Sequence, residues 1–194
     1  MGKSLKIVNI KKETDWAEIG LRKRQQEAEF ENYIIYDKKQ NEALELIKAH
    51  KENNFIFLGK SGTGKGHLAI SLLKERVRSG KNCKYINALD LFILLKDWDN
   101  LFEIKERFST YDFLIIDEIG KTFKSEFEQN LLFNILNNRY EDYLQTILIS
   151  NLTYDDFSAL VTIPVLDRLL ETYMFIHFCW QSYRIQKNKL EVKK

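Results

Sequence analysis

The sequence predicts an α/β fold in which a parallel sheet is covered by helices on both faces. Short, almost continuously apolar runs alternate with longer segments whose apolar residues recur at helical spacing. A strand that is apolar at nearly every position is typical of a parallel sheet buried on both sides. A glycine-rich loop follows the first run and an acidic pair follows the third, so polar groups collect where predicted strands end.

Five apolar runs predict the strands of this sheet. They are Asn54–Leu58, Cys83–Asn87, Asp112–Ile116, Thr146–Ser150 and Tyr173–Phe178. Helical patterns occupy most of the chain between and after them, at Lys39–His50, Gly66–Arg78, Leu89–Trp98, Leu101–Phe108, Glu126–Tyr143, Pro164–Leu170 and from Ser182 onward. Residues 1–28 are the most polar stretch, and we expect them to form a short N-terminal arm ahead of one domain, 29–194.

The composition limits the classes of protein to which the chain can belong. It has 194 residues, of which 44% are hydrophobic and 30% charged, as expected of a soluble globular domain. The net charge of +2 does not by itself require a nucleic-acid partner. No apolar run is long enough to cross a membrane and the N-terminus has no signal-peptide core, so we expect a cytoplasmic protein. Cys83 and Cys179 lack metal-ligand spacing and are expected to be buried thiols.

Residues 59–66 carry the strongest functional signal. They read Gly-Lys-Ser-Gly-Thr-Gly-Lys-Gly, the G-x-x-x-x-G-K pattern of a phosphate-binding loop, between an apolar run and a helix. Glycines let the backbone wrap closely around phosphates, and Lys65 brings a positive charge to them at the helix N-terminus. We therefore predict that the chain binds ATP. The residues expected to surround it are Gly59, Lys60, Ser61, Gly62, Thr63, Gly64, Lys65, Gly66 and His67.

One position of the loop departs from the pattern. A Ser or Thr normally follows the lysine and its hydroxyl binds Mg²⁺, whereas this sequence has Gly66. Nucleotide binding is expected to survive, because the cradle consists of backbone groups and Lys65. ATP hydrolysis is expected to be weak, since the metal has to rely on Asp117, water and the phosphates.

Two other apolar runs end in polar residues. The third is followed by Asp117 and Glu118, and ligands of parallel α/β sheets lie beyond the carboxyl ends of strands. Asp117 is therefore a candidate Mg²⁺ ligand, and Glu118 a candidate base or orienting group for water. This pair favours an ATPase over a small-molecule kinase, which has to exclude water. Asn151, after the fourth run, fits either a contact to the γ-phosphate or a cap of the following turn.

Together these motifs resemble the DnaC-type helicase loaders, and the IstB transposition ATPases share much of the pattern. The segments that carry the resemblance are Phe30–Tyr33, Gly62–Ala69, Ile116–Gly120, Asp167–Arg168 and Trp180–Arg184. The resemblance implies an AAA+ core that binds ATP and Mg²⁺, assembles side by side, binds single-stranded DNA and places a replicative helicase on it.

The resemblance also assigns roles to two arginines and to one helical segment. Arg168 matches the arginine finger, through which subunits would associate around ATP; the alternative is a surface ion pair with Asp167 or Glu171. Arg184 matches the sensor-2 arginine, and the alternative is a basic tail. Residues 89–108 match a helical insertion that would face DNA, although an aromatic stripe at helical spacing is more often plain packing.

Three departures limit what the resemblance transfers. They are Gly66, Pro164 in place of a frequent arginine, and the few residues available for a helicase-binding N-terminal domain or a C-terminal lid domain, neither of which is expected. Two alternatives to a helicase loader therefore stay open at this point. One is an IstB-like transposition ATPase, and the other is a nucleotide-gated adaptor that hydrolyses little ATP.

Overall fold

A parallel sheet of five strands forms the centre of the structure, a computed structural model that describes residues 14–120 and 125–186. The strands are β1 (Asn54–Gly59), β2 (Cys83–Asn87), β3 (Phe113–Ile119), β4 (Gln145–Ser150) and β5 (Tyr173–Phe178). Their order across the sheet is β2-β3-β4-β1-β5, and every pairing is parallel. The predicted sheet is confirmed, and β3 extends past its predicted end to include the acidic pair.

In the described part of the chain up to residue 172, eight α-helices surround the sheet. They are α1 (Trp16–Ile19), α2 (Lys38–Ala49), α3 (Lys65–Arg78), α4 (Ala88–Leu95), α5 (Leu101–Thr110), α6 (Glu126–Glu141), α7 (Tyr154–Leu160) and α8 (Ile163–Thr172). The sequence did not predict α7, whose N-terminus is capped by the Thr153 hydroxyl accepting from the Asp156 N–H. The helix predicted from Ser182 begins at Tyr183 and is described as far as Gln186; the rest of that prediction lies outside the described residues. None of the described helices is long and apolar enough to cross a membrane.

Each strand contributes to two hydrophobic cores, one on either face of the sheet. Phe55 and Phe57 of β1 pack on the face covered by α2 and α3, whereas Ile56 and Leu58 pack on the face covered by α4 to α8. All four side chains are essentially inaccessible to solvent. Burial on both faces is the reason that the strands read as continuous apolar runs.

The described part of the predicted N-terminal arm packs against the domain. Leu21 is buried in the core beside α3, and the Lys74 ammonium of α3 donates to the backbone oxygens of Gln26 and Ala28 at 2.8 and 3.3 Å. Gly20 ends α1 with φ 107°, and a Cβ there would stand 2.1 Å from a backbone oxygen of β2. Residues 14–28 therefore lie along α3 and the edge strand β2.

The two cysteines differ in exposure. Cys83 is buried on β2, as expected, but Cys179 is exposed, so that expectation was wrong. Side chains alternate between the two faces of an extended chain, and Cys179 shares the exposed side with His177 while Phe178 and Trp180 point into the core. An apolar neighbourhood in the sequence does not reveal this alternation at an edge strand.

Arg139 is a fully buried cation that ties α6 to its neighbours. Its guanidinium donates to the Thr146 hydroxyl at 2.8 Å and to three backbone oxygens at 2.7 to 3.1 Å, those of Phe108, Tyr111 and Gln145. Burial lowers the pKa of Arg139 to about 10. The N–H donors of the planar guanidinium meet acceptors from α5, from the turn after it and from β4. This one side chain therefore connects α6 to all three.

We predict that Arg139→Met destabilises the fold by about 3 kcal/mol, because methionine fills the space but leaves buried oxygens without their shared donor. Urea denaturation followed by circular dichroism measures the free energy of unfolding. Arg107→Met, at an exposed arginine of α5, is the matched control and should change that free energy by less than about 0.5 kcal/mol. Equal stability of the two variants would contradict this account of Arg139.

Candidate functional site

The glycine-rich loop connects β1 to the N-terminus of α3 at the carboxyl edge of the sheet. Gly62 and Gly64 have φ angles of 80° and 98°, which side-chain-bearing residues rarely adopt. A Cβ on Gly64 would lie 2.7 Å from the ring of Tyr33, and one on Gly62 would lie 2.2 Å from the Ser182 hydroxyl. The loop therefore needs glycine for its conformation and for the close approach of segments on both sides.

A cavity of about 420 Å³ lies above this loop. Most of the residues that the sequence singled out line it, namely Ser61, Gly62, Thr63, Gly64, Lys65, Gly66, His67, Asp117, Glu118, Asn151 and Arg184. Gly59 and Lys60 lie at the start of the loop beneath it and offer their backbone oxygens to Lys65. The opposite wall comes from the N-terminal segment between Arg24 and Ile34, which the sequence did not associate with the site.

Lys65 is the buried cation of the cavity. Its ammonium donates to the Gly59 oxygen, to the Lys60 oxygen at 2.9 Å and to the Asn151 side-chain oxygen at 2.9 Å. Burial lowers its pKa to about 8, and the negative charge of Asp117 partly opposes this shift. All three hydrogen-bond acceptors of the ammonium are uncharged, and Asp117 acts on it only through its charge. An arriving anion would therefore be the strongest partner available to the ammonium.

Asn151 points into the cavity instead of capping the next turn. Its oxygen accepts from Lys65, while Thr153 provides the cap of α7. The two residues meet because β1 and β4 are neighbours in register, with Leu58 opposite Ser150. A direct contact of Asn151 with a γ-phosphate stays a prediction.

The acidic pair at the end of β3 is held by two residues of β2. Asp117 accepts from the Tyr85 hydroxyl at 2.5 Å and from the Glu118 N–H at 2.6 Å, and burial raises the pKa of this carboxyl. The Asn87 amide donates to the Glu118 carboxylate at 2.9 Å, and Glu118 itself has a left-handed φ of 62°. The sequence did not single out Tyr85 or Asn87. The one signal for Asn87 in the sequence was its position as a polar residue at the end of the second apolar run. In the structure it pairs in register with Asp117.

The arrangement fits a magnesium ion that arrives with a nucleotide. A Cβ on Gly66 would stand 4.0 Å from an Asp117 carboxylate oxygen, so the two positions that flank the metal in a phosphate-binding loop face each other. In the described part of the chain no three His, Cys, Asp or Glu residues form a metal-binding group. Mg²⁺ is usually held by one or two carboxylates together with phosphates and waters, and Asp117 can supply this protein ligand.

The C-terminal residues of the described chain brace the loop from above. The Trp180 indole N–H donates to the Thr63 oxygen at 2.7 Å, and the Tyr183 backbone N–H donates to the Gly62 oxygen at 2.9 Å. Arg184 follows directly and lines the cavity. This position is compatible with a phosphate contact, and the sensor-2 role of Arg184 stays a prediction.

Arg168 lies on α8 and does not line the cavity of its own chain. Its guanidinium lies 5.6 Å from the ring centres of both Phe133 and Tyr140 on α6. Among the residues that the structure describes, it forms no ion pair with Asp167 or Glu171, so the alternative considered for it is not observed. Its role as an arginine finger stays a prediction.

Comparison with known proteins identifies the family. The family of IstB-like ATP binding proteins matches residues 7–191. This chain belongs to that family. It is 32% identical over 177 residues to the replicative helicase loader DnaC of Escherichia coli strain K12, a match that covers 85% of this chain and 72% of the relative. It is also 30% identical over 168 residues to the IS5376 putative ATP-binding protein of Geobacillus stearothermophilus, covering 82% of this chain and 66% of that protein.

Solved structures confirm the AAA+ fold of this IstB family member. A crystal structure of the DnaC helicase loader superposes with a TM-score of 0.70 at 22% identity, covering 80% of this chain and 99% of that one. The replication initiator DnaA bound to AMPPCP and single-stranded DNA superposes with a TM-score of 0.71 at 22% identity. That match covers 86% of this chain and 54% of the DnaA chain, so the present chain spans about half of DnaA.

We predict that ATP affinity falls as the pH rises above 8. Below that pH the Lys65 ammonium is charged both before and after binding. Above it, Lys65 of the free protein has lost its proton and has to take one up on binding ATP, because the phosphates raise the lysine pKa in the complex. The dissociation constant should rise about fivefold between pH 8 and pH 9 in titration calorimetry at constant ionic strength.

Two variants separate Lys65 from other titrating groups in this experiment. Lys65→Arg keeps its charge and should bind ATP with the same affinity at both pH values. Lys60→Ala, which removes an exposed side chain from the same loop, should keep the wild-type pH dependence. A wild-type affinity that does not change up to pH 9 would contradict the assignment of Lys65 to the phosphates.

Proposed function

We propose that this IstB family member is an ATP-hydrolysing helicase loader of the DnaC type. It would bind Mg²⁺ and ATP, assemble side by side, contact single-stranded DNA and place a replicative helicase on it. The observation that carries the proposal is the convergence of Lys65, Asn151, Asp117 and Glu118 on one cavity. The 32% identity to a replicative helicase loader supports the choice of partner, and a replication role in turn places the protein in the cytoplasm.

The side chains of the cavity suit ATP hydrolysis. On nucleotide binding, Lys65 exchanges its loop oxygens for phosphate oxygens, while the N-terminus of α3 faces the same anion. Asp117 would hold Mg²⁺, which neutralises charge on the phosphates when bound. Glu118 orients and deprotonates water, and the Asn87 amide fixes the direction of its carboxylate. Arg184 adds positive charge from the other side of the cavity.

Self-association is proposed from the position of Arg168. The residue lies on the surface of α8 away from its own cavity, so it can serve a nucleotide only in another subunit. A guanidinium that enters an ATP site from a neighbour stabilises charge on the transferred phosphate, as arginine fingers do. Activity that depends on assembly follows from this arrangement.

A surface for single-stranded DNA is proposed on α4, α5 and the turn between them. Ile93, Trp98 and Phe102 are 58%, 64% and 80% exposed, which is unusual for large apolar side chains. Lys96 and Arg107 lie on the same helical segment. Exposed aromatic rings with interspersed cations can stack on bases and attract the phosphate backbone.

Two alternatives each have one specific observation in their favour. An IstB-like role in transposition is supported by the similarity to the IS5376 putative ATP-binding protein. A nucleotide-gated adaptor with little hydrolysis is supported by Gly66, which provides no hydroxyl for the metal. The three functions differ in the partner protein and in the rate of ATP turnover.

We predict that the protein binds the hexameric replicative helicase of its host when ATP is present. Gel filtration of the purified proteins with ATP, ADP or no nucleotide measures the complex, and Glu118→Gln should preserve it because ATP is then held without turnover. Lys65→Ala should abolish the ATP dependence. Binding to a transposase instead of the helicase would contradict the loader proposal and support the transposition alternative.

We further predict that two inactive variants restore each other. Arg168→Ala should bind ATP with wild-type affinity and lose turnover, and Glu118→Gln should do the same for a different reason. A mixed assembly contains interfaces with an intact Glu118 on one subunit and an intact Arg168 on the next, so phosphate release should recover to about a quarter of the wild-type rate by random pairing of equal amounts. A mixture that stays inactive would show that Arg168 does not act between subunits.

A further inference from the structure

Tyr85 contacts the candidate metal ligand from the edge strand. It is 8% exposed on β2, and its hydroxyl lies 2.5 Å from a carboxylate oxygen of Asp117. An ionised carboxylate can only accept, so the phenol donates this hydrogen bond.

The same carboxylate oxygen faces the position at which the phosphate-binding loop lacks a hydroxyl. A Cβ on Gly66 would lie 4.0 Å from Asp117 Oδ2, the oxygen that Tyr85 contacts. A serine or threonine hydroxyl there would stand one bond closer, within reach of that oxygen. The phenol thus supplies a donor from β2 where the usual loop residue would supply one from α3.

We propose that Tyr85 is a positioning residue for the metal site and takes the place of the missing loop hydroxyl beside Asp117. This inference rests on the proposed use of Mg²⁺ and ATP. With the Glu118 N–H on one oxygen and the phenol on the other, the Asp117 carboxylate is fixed in rotation. Each oxygen keeps a second lone pair that can face a metal or a metal-bound water.

The N-terminal segment lies beside the metal site. Gln25 belongs to the 3₁₀ turn Gln25–Glu27, and the same segment forms one wall of the nucleotide cavity. Gln25 also lines a second cavity together with Tyr85 and Asp117, so this segment borders the metal site although it lies far from it in the sequence.

The test measures metal affinity directly. Mn²⁺ binding is followed by electron paramagnetic resonance with a saturating non-hydrolysable ATP analogue, in wild type and in Tyr85→Phe. We expect Tyr85→Phe to weaken Mn²⁺ binding by about tenfold, a typical effect of removing a group that orients a metal ligand. Binding of the analogue in EDTA should be unchanged. Tyr111→Phe, whose ring packs on Phe108 away from Asp117, is the matched control and should match wild type.

Gly66→Thr provides the second arm of the test. In the wild-type background it should change Mn²⁺ affinity by less than about threefold, because the phenol already occupies the oxygen; in Tyr85→Phe it should restore most of the lost affinity. Equal gains in both backgrounds, or wild-type Mn²⁺ affinity in Tyr85→Phe, would overturn the proposal. If Tyr85→Phe does not fold, a gain of tenfold or more from Gly66→Thr alone would overturn it. Failure of wild type to bind the analogue in EDTA would instead refute the nucleotide site itself.

Discussion

The ammonium group of Lys65 is buried at the junction of β1, β4 and α3, and the rest of the site is arranged around it. Two loop oxygens and Asn151 solvate the ammonium, but none of these three partners carries a charge. A cation held by neutral groups in a half-closed cavity is costly, and the depressed pKa is one expression of that cost. A triphosphate relieves it, so the attraction for ATP is built into the folded state before any ligand arrives.

The strand order decides which groups can meet at this point. Because β1 lies between β4 and β5, the loop after β1 is adjacent to Asn151 after β4 and to Trp180 after β5. On the other side, β3 lies next to β2, which brings Asn87 and Tyr85 to the acidic pair. The ends of four strands, β1, β3, β4 and β5, therefore contribute to one cavity, and β2 supports the acidic pair from the side.

The sequence was sufficient for the sheet and for the residues that carry a local pattern. Apolar runs located all five strands, and the spacing within the loop identified Lys65. It was not sufficient for Tyr85, because an aromatic residue inside an apolar run reads as core, and only the register with β3 brings its hydroxyl to Asp117. The helix α7 was also missed, since Phe157 is its one buried residue and a single apolar position gives no periodicity.

The N-terminal segment shows the same limit in another way. Its polar composition predicts an arm but not its contacts: Leu21 is buried in the core, and Lys74 on α3 donates to backbone oxygens of the segment. Hydrogen bonds that backbone oxygens accept cannot be predicted from the order of side chains in the sequence. Contacts of this kind become visible only when the chain is folded.

The aromatic surface beneath Arg168 has a consequence for the timing of assembly. Two ring faces attract a guanidinium by about 1 kcal/mol or more in total, so the arginine has a defined resting place in a subunit without neighbours. In the proposed assembly, an adjoining subunit would have to compete with those rings before the arginine could extend. A neighbour without nucleotide would offer little in exchange, whereas a triphosphate would offer several negative charges. For the proposed arginine finger, the rings of Phe133 and Tyr140 would therefore set a threshold that favours pairing between subunits already loaded with ATP.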